Sequence, residues 1–188
     1  MRERDAGRLT HVDAQGRAGM VDVGGKAVTR REASASGRLL LRPETARAVR
    51  ENTLAKGDVL AVARIAGVQG AKETSRLIPL CHPLRLDHIQ VEAGVEDDPP
   101  SIRIAATARA SGRTGVEMEA LTAVTVALLA AYDMVKAVDR QAAIGDVRLD
   151  RKSGGKSGDW VRGRTSPRPR PAARRRAHGR KPVQGGAA

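Results

Sequence analysis

Three stretches of this sequence concentrate side chains able to do chemistry. The first, Lys152-Ser153-Gly154-Gly155-Lys156-Ser157-Gly158-Asp159, is dense in Gly, Ser and Lys, the composition that wraps phosphates with backbone N–H groups and ammonium charge. It is not a P-loop, because that motif needs Gly five positions before Gly155, where Asp150 stands, and no helix-forming run follows. Composition alone leaves two readings, a flexible linker and a phosphate-binding segment. The second stretch, Ile78-Pro79-Leu80-Cys81-His82-Pro83, sets a thiol beside an imidazole between prolines that fix the backbone. A Cys nucleophile, a metal-ligand pair, a His82 contact to phosphate or base, and a structural loop all fit it. Neighbouring Cys and His project differently, which weakens a nucleophile–base pair. One Cys and four His, with no Cys-x-x-Cys or His-x-x-x-His spacing, argue against zinc.

The third stretch is a run of small apolar residues carrying Glu117, Glu119, Asp133 and Lys136. Asp133 and Lys136 lie three apart and share a helix face, so a carboxylate and an ammonium there form either a proton-transfer pair or an ordinary surface ion pair. Glu119 and Asp133 are fourteen positions apart, about 21 Å along a helix. In one chain they cannot both touch one reacting carbon. If both serve one reaction, they hold distant parts of an extended substrate, or the site is assembled from two subunits. Lys56, in Lys56-Gly57-Asp58, becomes a general acid or base only if burial lowers its pKa, and burial is not visible in sequence.

The elements that must position these residues follow from pattern. Pro43 and Glu44 suit the first turn of a helix near 43–53; a second helix is expected over 57–75, weakened by Gly67 and Gly70. Leu86 to Glu96 alternates, Ile89, Val91, Ala93 and Val95 facing one way, and Ile102, Ile104, Ala106 and Ala108 resume the period of two after Asp97-Asp98-Pro99-Pro100. This predicts an antiparallel hairpin with a loop longer than two residues. A run without Gly or Pro from Val116 to about Arg140 predicts one long helix, and Val147 to Leu149 a last strand. Met20 to Leu41 reads as short β-compatible runs broken by Gly24-Gly25 and Gly37. The order implies an α+β sheet with helices on one face.

Composition bounds the rest. The 188 residues suit one domain, 1–160, followed by a basic Pro/Arg-rich tail, 161–188, expected to be disordered. With Trp160, Tyr132 and no Phe, the core must be filled by Val, Leu, Ile and Ala. The tail carries nine of the 34 Lys/Arg and no acid, so the net charge of +13 belongs largely to it. Two aromatics are too few for base stacking, which argues against a specific nucleic-acid module. The single Cys81 precludes an intramolecular disulfide, and the polar N-terminus lacks an apolar signal region. The apolar run Ala120–Ala131 is shorter than the ~20 residues of a membrane span. A cytoplasmic protein without a membrane is the expectation.

The same residues, in order, resemble the cyclic pyranopterin monophosphate synthase family of molybdenum-cofactor biosynthesis. The markers are Leu9-Thr10-His11, Met20-Val21-Asp22-Val23, Lys56-Gly57-Asp58-Val59, Ala63-Arg64-Ile65-Ala66-Gly67, Ile78 to Pro83, Thr114-Gly115-Val116-Glu117-Met118-Glu119-Ala120-Leu121-Thr122, Tyr132-Asp133-Met134 and Lys152 to Gly158. One such motif is weak; all of them in register are specific, and they cover about Leu9 to Asp159.

The resemblance implies a ferredoxin-like antiparallel sheet and a homohexamer, a trimer of dimers with active sites at the dimer interface. Position by position, Asp133 matches the family's catalytic aspartate, and Lys56 and Lys136 its catalytic lysines. Leu80, Cys81 and His82, with Met118 and Glu119, match substrate-binding segments; Arg31, Lys152 and Lys156 match basic positions near the phosphates. The implied substrate is (8S)-3′,8-cyclo-7,8-dihydroguanosine 5′-triphosphate, converted to cyclic pyranopterin monophosphate and pyrophosphate by a lyase. No metal site or resident cofactor is implied, and a divalent cation on the phosphates stays open. One position departs from the pattern: relatives commonly carry His before Met-Val-Asp-Val, where this chain has Gly19, with Arg17 as a neighbour able to substitute.

Overall fold

The structure, a computed structural model, describes residues 16–156 and 158–163. The motif Leu9-Thr10-His11 and residues 164–188 of the basic tail lie outside that range. The chain runs β1 (Thr29–Leu40), α1 (Pro43–Arg50), α2 (Val59–Lys72), α3 (Thr74–Leu77), β2 (His88–Asp97), β3 (Pro100–Gly112), α4 (Glu117–Val135), β4 (Ala143–Ser153) and β5 (Trp160–Val161). The strands form one antiparallel sheet in the order β2-β3-β1-β4-β5. The first four strands therefore have the split βαβ arrangement of a ferredoxin-like fold, and the α+β expectation holds.

Alternation builds the layers. In β1, Ala33, Ala35 and Leu39 are buried, and in β3 Ile102, Ile104, Ala106, Ala108 and Ala110. Against them lies α4, whose Ala120, Ala123, Val124, Ala127, Leu128 and Ala131 are fully buried. With no Phe available, small side chains let helix and sheet approach closely. Gly37 shows how closely. A Cβ there would stand 2.8 Å from Leu128 Cδ1 and 2.9 Å from Val124 Cγ1, so Gly37 lies inside one twelve-residue strand and does not break it. Gly67 and Gly70 likewise admit α4, for a Cβ at Gly70 would meet Val126 Cβ at 2.7 Å. What weakens α2 locally is what lets it pack.

Several boundaries differ from expectation. The β2–β3 turn has only two residues, since Asp97 pairs with Pro100; proline at the first position of a strand removes no ladder bond the sheet needs. The second helix ends at Lys72, and a separate short helix follows. The long helix ends at Val135 and residues 136–138 continue as turns, Val138 N donating to Val135 O three residues back in place of a partner four residues back. Buried Asp139 accepts from Arg42 N at 2.9 Å and Gln141 N at 3.2 Å, tying the end of α4 to the start of α1. Burial would raise its carboxyl; those N–H donors, the Thr45 hydroxyl and the Arg42 charge hold it below the usual range. The expected disorder from residue 161 does not hold at its first residues: Val161 pairs with Arg151, Arg162 N donates to Asp150 O, and the Arg162 guanidinium lies 5.6 Å from the Trp160 ring centre. As a nineteen-residue helix, α4 is long and apolar enough to cross a membrane, but it is a core helix, packed on α2 and on three strands.

Candidate active site

The two ends of α4 carry the two groups of candidate residues. At the C-terminal end, Asp133 stands between two ammonium groups. Lys136 Nζ lies 2.6 Å from Oδ1 and Lys56 Nζ 3.0 Å from Oδ2. Lys56 comes from the turn before α2, where Gly57 takes φ +88°, a conformation glycine adopts freely, and Asp58 caps the helix by accepting from Ala61 N. Its ammonium also donates to the Asp133 carbonyl at 2.7 Å. That carbonyl belongs to the last turn of α4, where no intrahelical N–H is available, and no basic residue of the helix itself sits there. Lys56 is thus the C-terminal cap of α4, placed by another element. Hydrogen bonds and charge from Lys136 and then Lys56 hold the Asp133 carboxyl below the usual range, and Asp133 in turn holds Lys136 above its own. The burial that a general acid or base at position 56 calls for is not found in the single chain, since the Lys56 side chain is 42% exposed.

At the N-terminal end of α4 opens a cleft of about 1300 Å³. Arg31, Leu80, Cys81, His82, Met118, Lys152 and Lys156 all line it. Proline-flanked Leu80-Cys81-His82 follows α3 in a turn closed by Cys81 N donating to Ile78 O at 3.0 Å. Lys152, one residue from the end of β4, pairs with Glu117 in the first turn of α4, 2.9 Å apart. Arg31 leaves β1 and reaches the carbonyls of Gly112 and Arg113, each at 3.4 Å.

Glu119 is the exception among the expected contacts. It does not line the cleft but is buried behind Cys81, whose thiol lies 3.9 Å from Oε1, while Oε2 is buried without a hydrogen-bond partner among the described residues. Burial raises its carboxyl pKa, and burial together with the Glu119 charge raises the Cys81 thiol. A nucleophilic thiolate is therefore disfavoured.

The cleft also contains residues not singled out as ligands from sequence: Lys26, Arg113 and Glu117. Arg113 Nε donates to Lys26 O at 3.1 Å, binding residues 21–27 to the β3–α4 turn. Their signal in the sequence was slight, a lone basic residue after Gly24-Gly25 and another between Gly112 and Gly115. Together the lining holds five Lys/Arg side chains against one carboxylate, Glu117. Such a concave basic surface fits a polyanion. Among the described residues no cluster of His, Cys, Asp and Glu has metal-site geometry.

A sequence model of the MoaC family matches residues 20–155. The chain belongs to the MoaC family. Curated relatives named cyclic pyranopterin monophosphate synthase include one from Brucella ovis, 55% identical over 156 residues, which are 83% of this chain and 94% of the relative. Another is from Streptomyces coelicolor, 57% identical over 155 residues (82% and 90%), and a third from a Nocardioides strain, 56% identical over 156 residues (82% and 96%). The MoaC match spans both ends of α4, from the residues bound to Arg113 through to Gly155, and so covers the Lys–Asp–Lys cluster and the cleft up to Lys156, which lies one residue beyond it. Gly19, the departure noted above, lies one residue before it, exposed, with open space around the position of a Cβ.

Proposed function

We propose that this chain is a cyclic pyranopterin monophosphate synthase of molybdenum-cofactor biosynthesis, a lyase acting on (8S)-3′,8-cyclo-7,8-dihydroguanosine 5′-triphosphate and releasing pyrophosphate. The observation that carries this reading is the convergence of seven residues from four separate stretches of the chain on one basic cleft of about 1300 Å³. Lys26, Arg31, Arg113 and Lys156 neutralise the triphosphate, and Lys152 joins them to the extent that the ligand competes with Glu117 for it. Leu80, His82 and Met118 orient the purine-derived portion and the sugar. Glu119 supports this wall from behind, through Cys81.

The reaction opens one ring, closes a pyran ring and a cyclic phosphate, and is redox-neutral, so proton transfers dominate it. Lys56 and Lys136 are assigned the proton transfers, which they can carry once a partner subunit covers the cluster and desolvates the two ammonium groups; Asp133 fixes both in place. They lie at the far end of α4 from the cleft of their own chain. The arrangement therefore supports a site completed by a partner subunit, as in the dimer-interface site of a homohexamer. A cytoplasmic enzyme without a resident cofactor fits this chemistry.

The deciding assay gives purified protein the cyclised GTP intermediate and measures pyrophosphate together with the pterin product. Wild-type turnover with loss of at least ~100-fold in Asp133→Asn is expected. Lys56→Ala should fall similarly while its oligomeric mass by light scattering is unchanged. Near-normal turnover of either variant removes that residue from the chemistry, and a folded wild type that binds substrate but yields no product refutes the synthase reading.

A further inference from the structure

Arg31 occupies a place that only a glycine leaves open. Its guanidinium lies between two carbonyls, those of Gly112 and Arg113, and the turn after β4. A Cβ built on Gly155 would fall 1.6 Å from Arg31 Nη1 and 2.4 Å from Cζ, so the guanidinium is laid directly over the Gly155 α-carbon. The preceding glycine brings the turn to this position: a Cβ on Gly154 would stand 2.1 Å from the carbonyl oxygen of Arg30, so the turn is pressed against the β1 backbone. The turn then closes on itself, Gly158 N donating to Gly155 O at 3.2 Å.

Two properties of Gly155 must be separated. Its φ of +75° favours glycine in any protein. The contact with Arg31 is a second demand, independent of the first, because Gly158 has φ +65° and, among the described residues, nothing within 4 Å of its Cβ position. The sequence thus supplies its own control, a glycine with a similar positive φ and no described side chain against it.

We propose that Gly155 is a positioning residue: its missing side chain seats the Arg31 guanidinium so that Arg31, from β1, and Lys156, from the turn, face a phosphate group together from the same wall of the cleft. Arg31 spends two donors on carbonyls and keeps the edge nearest Gly155 for the ligand, while Lys156 follows Gly155 in the chain. Any side chain at position 155 pushes the guanidinium away from the turn and separates the two charges. This inference rests on the phosphate-cleft reading above.

The test uses the full chain and inorganic tripolyphosphate, with affinity measured by titration calorimetry. Gly155→Ala should weaken binding by about tenfold or more, the loss of one charge-assisted hydrogen bond. Gly158→Ala, which carries only the backbone strain, should change it by no more than about threefold. In an Arg31→Ala background, Gly155→Ala should cost no more than Gly158→Ala does, because there is no guanidinium left to displace. In turnover the Gly155→Ala loss should fall mainly on KM. Equal effects of the two glycine variants, or an undiminished Gly155→Ala effect without Arg31, overturn the proposal while leaving the phosphate cleft standing. A wild type that binds no tripolyphosphate overturns both. Should Gly155→Ala fold poorly by circular dichroism, R31K decides: it keeps the charge and loses the planar fork, so about tenfold weaker binding is expected, and unchanged affinity refutes the seat.

Discussion

If the two ends of α4 serve different active sites, two damaged subunits should repair each other. Glu117 in the cleft and Asp133 in the Lys–Asp–Lys cluster are sixteen residues apart on one helix, about 24 Å at 1.5 Å per residue. A two-fold interface that brings one subunit's cleft to its partner's cluster does so twice, giving two composite sites per dimer. Lys56→Ala leaves the cleft intact and spoils the cluster; Arg31→Ala does the reverse. In a mixed dimer one site inherits both lesions and the other inherits neither. Random assembly of equal amounts makes half the dimers mixed, so about one quarter of all sites should be wild type. At substrate well below KM, Lys56→Ala alone should turn over at ~1% or less and Arg31→Ala at ~10% or less, so mixing raises activity about fivefold above the mean of the parents. The two variants, differently tagged, would be co-expressed and assayed for pyrophosphate release per subunit. If the pool does no better than the mean of its parents, each site is built within one chain, and the assembly argument fails.

Other expectations concern the core and the buried acid. Burial raises the Glu119 pKa above its unfolded value, so the stability it contributes is fully present below the unfolded carboxyl pKa and is lost as pH rises through the folded one. Glu119→Gln, which does not titrate, should therefore melt at higher temperature than wild type near neutrality, with the gain shrinking toward about pH 4. A difference constant across that range would show that Glu119 is not the titrating group. Gly37→Ala would place a methyl against Leu128, Val124 and Val147 and should cost about 1–3 kcal/mol in denaturant unfolding. Gly94→Ala, in β2 with open space at its Cβ, should be within about 0.5 kcal/mol of wild type. Equal costs for the two would mean that strand propensity, and not the approach of α4, governs Gly37.

Periodicity reveals the sheet and long helix because alternation in β2 and β3 and the Ala-rich run of α4 each face one core. It misjudges glycines, because a glycine's local effect is visible in sequence and the neighbour it admits is not. Gly37 reads as a strand breaker and Gly70 as a weak point, yet both are contact points with α4. The Asp133–Lys136 pair is fixed by helical spacing alone, whereas Lys56 is 77 positions away and joins it only through the fold. In the same way the Gly/Lys segment betrays a taste for phosphate, but not that Arg31, brought over from β1, lies against it. Glu119 differs most from expectation, since a helix position three residues past Val116 says nothing of which side Cys81 will cover.

The scarcity of aromatic rings has an optical consequence. The chain contains one Trp and one Tyr, and they fall near opposite ends of α4. Trp160 pairs across the strand with Lys152 at the cleft, while Tyr132 immediately precedes Asp133. Excitation at long ultraviolet wavelength addresses the tryptophan alone, so its emission follows the cleft end without any label. Tyrosine absorbance difference spectra follow the Lys–Asp–Lys end. The two intrinsic chromophores allow ligand arrival at one end, and any answering change at the other, to be timed separately in a single sample.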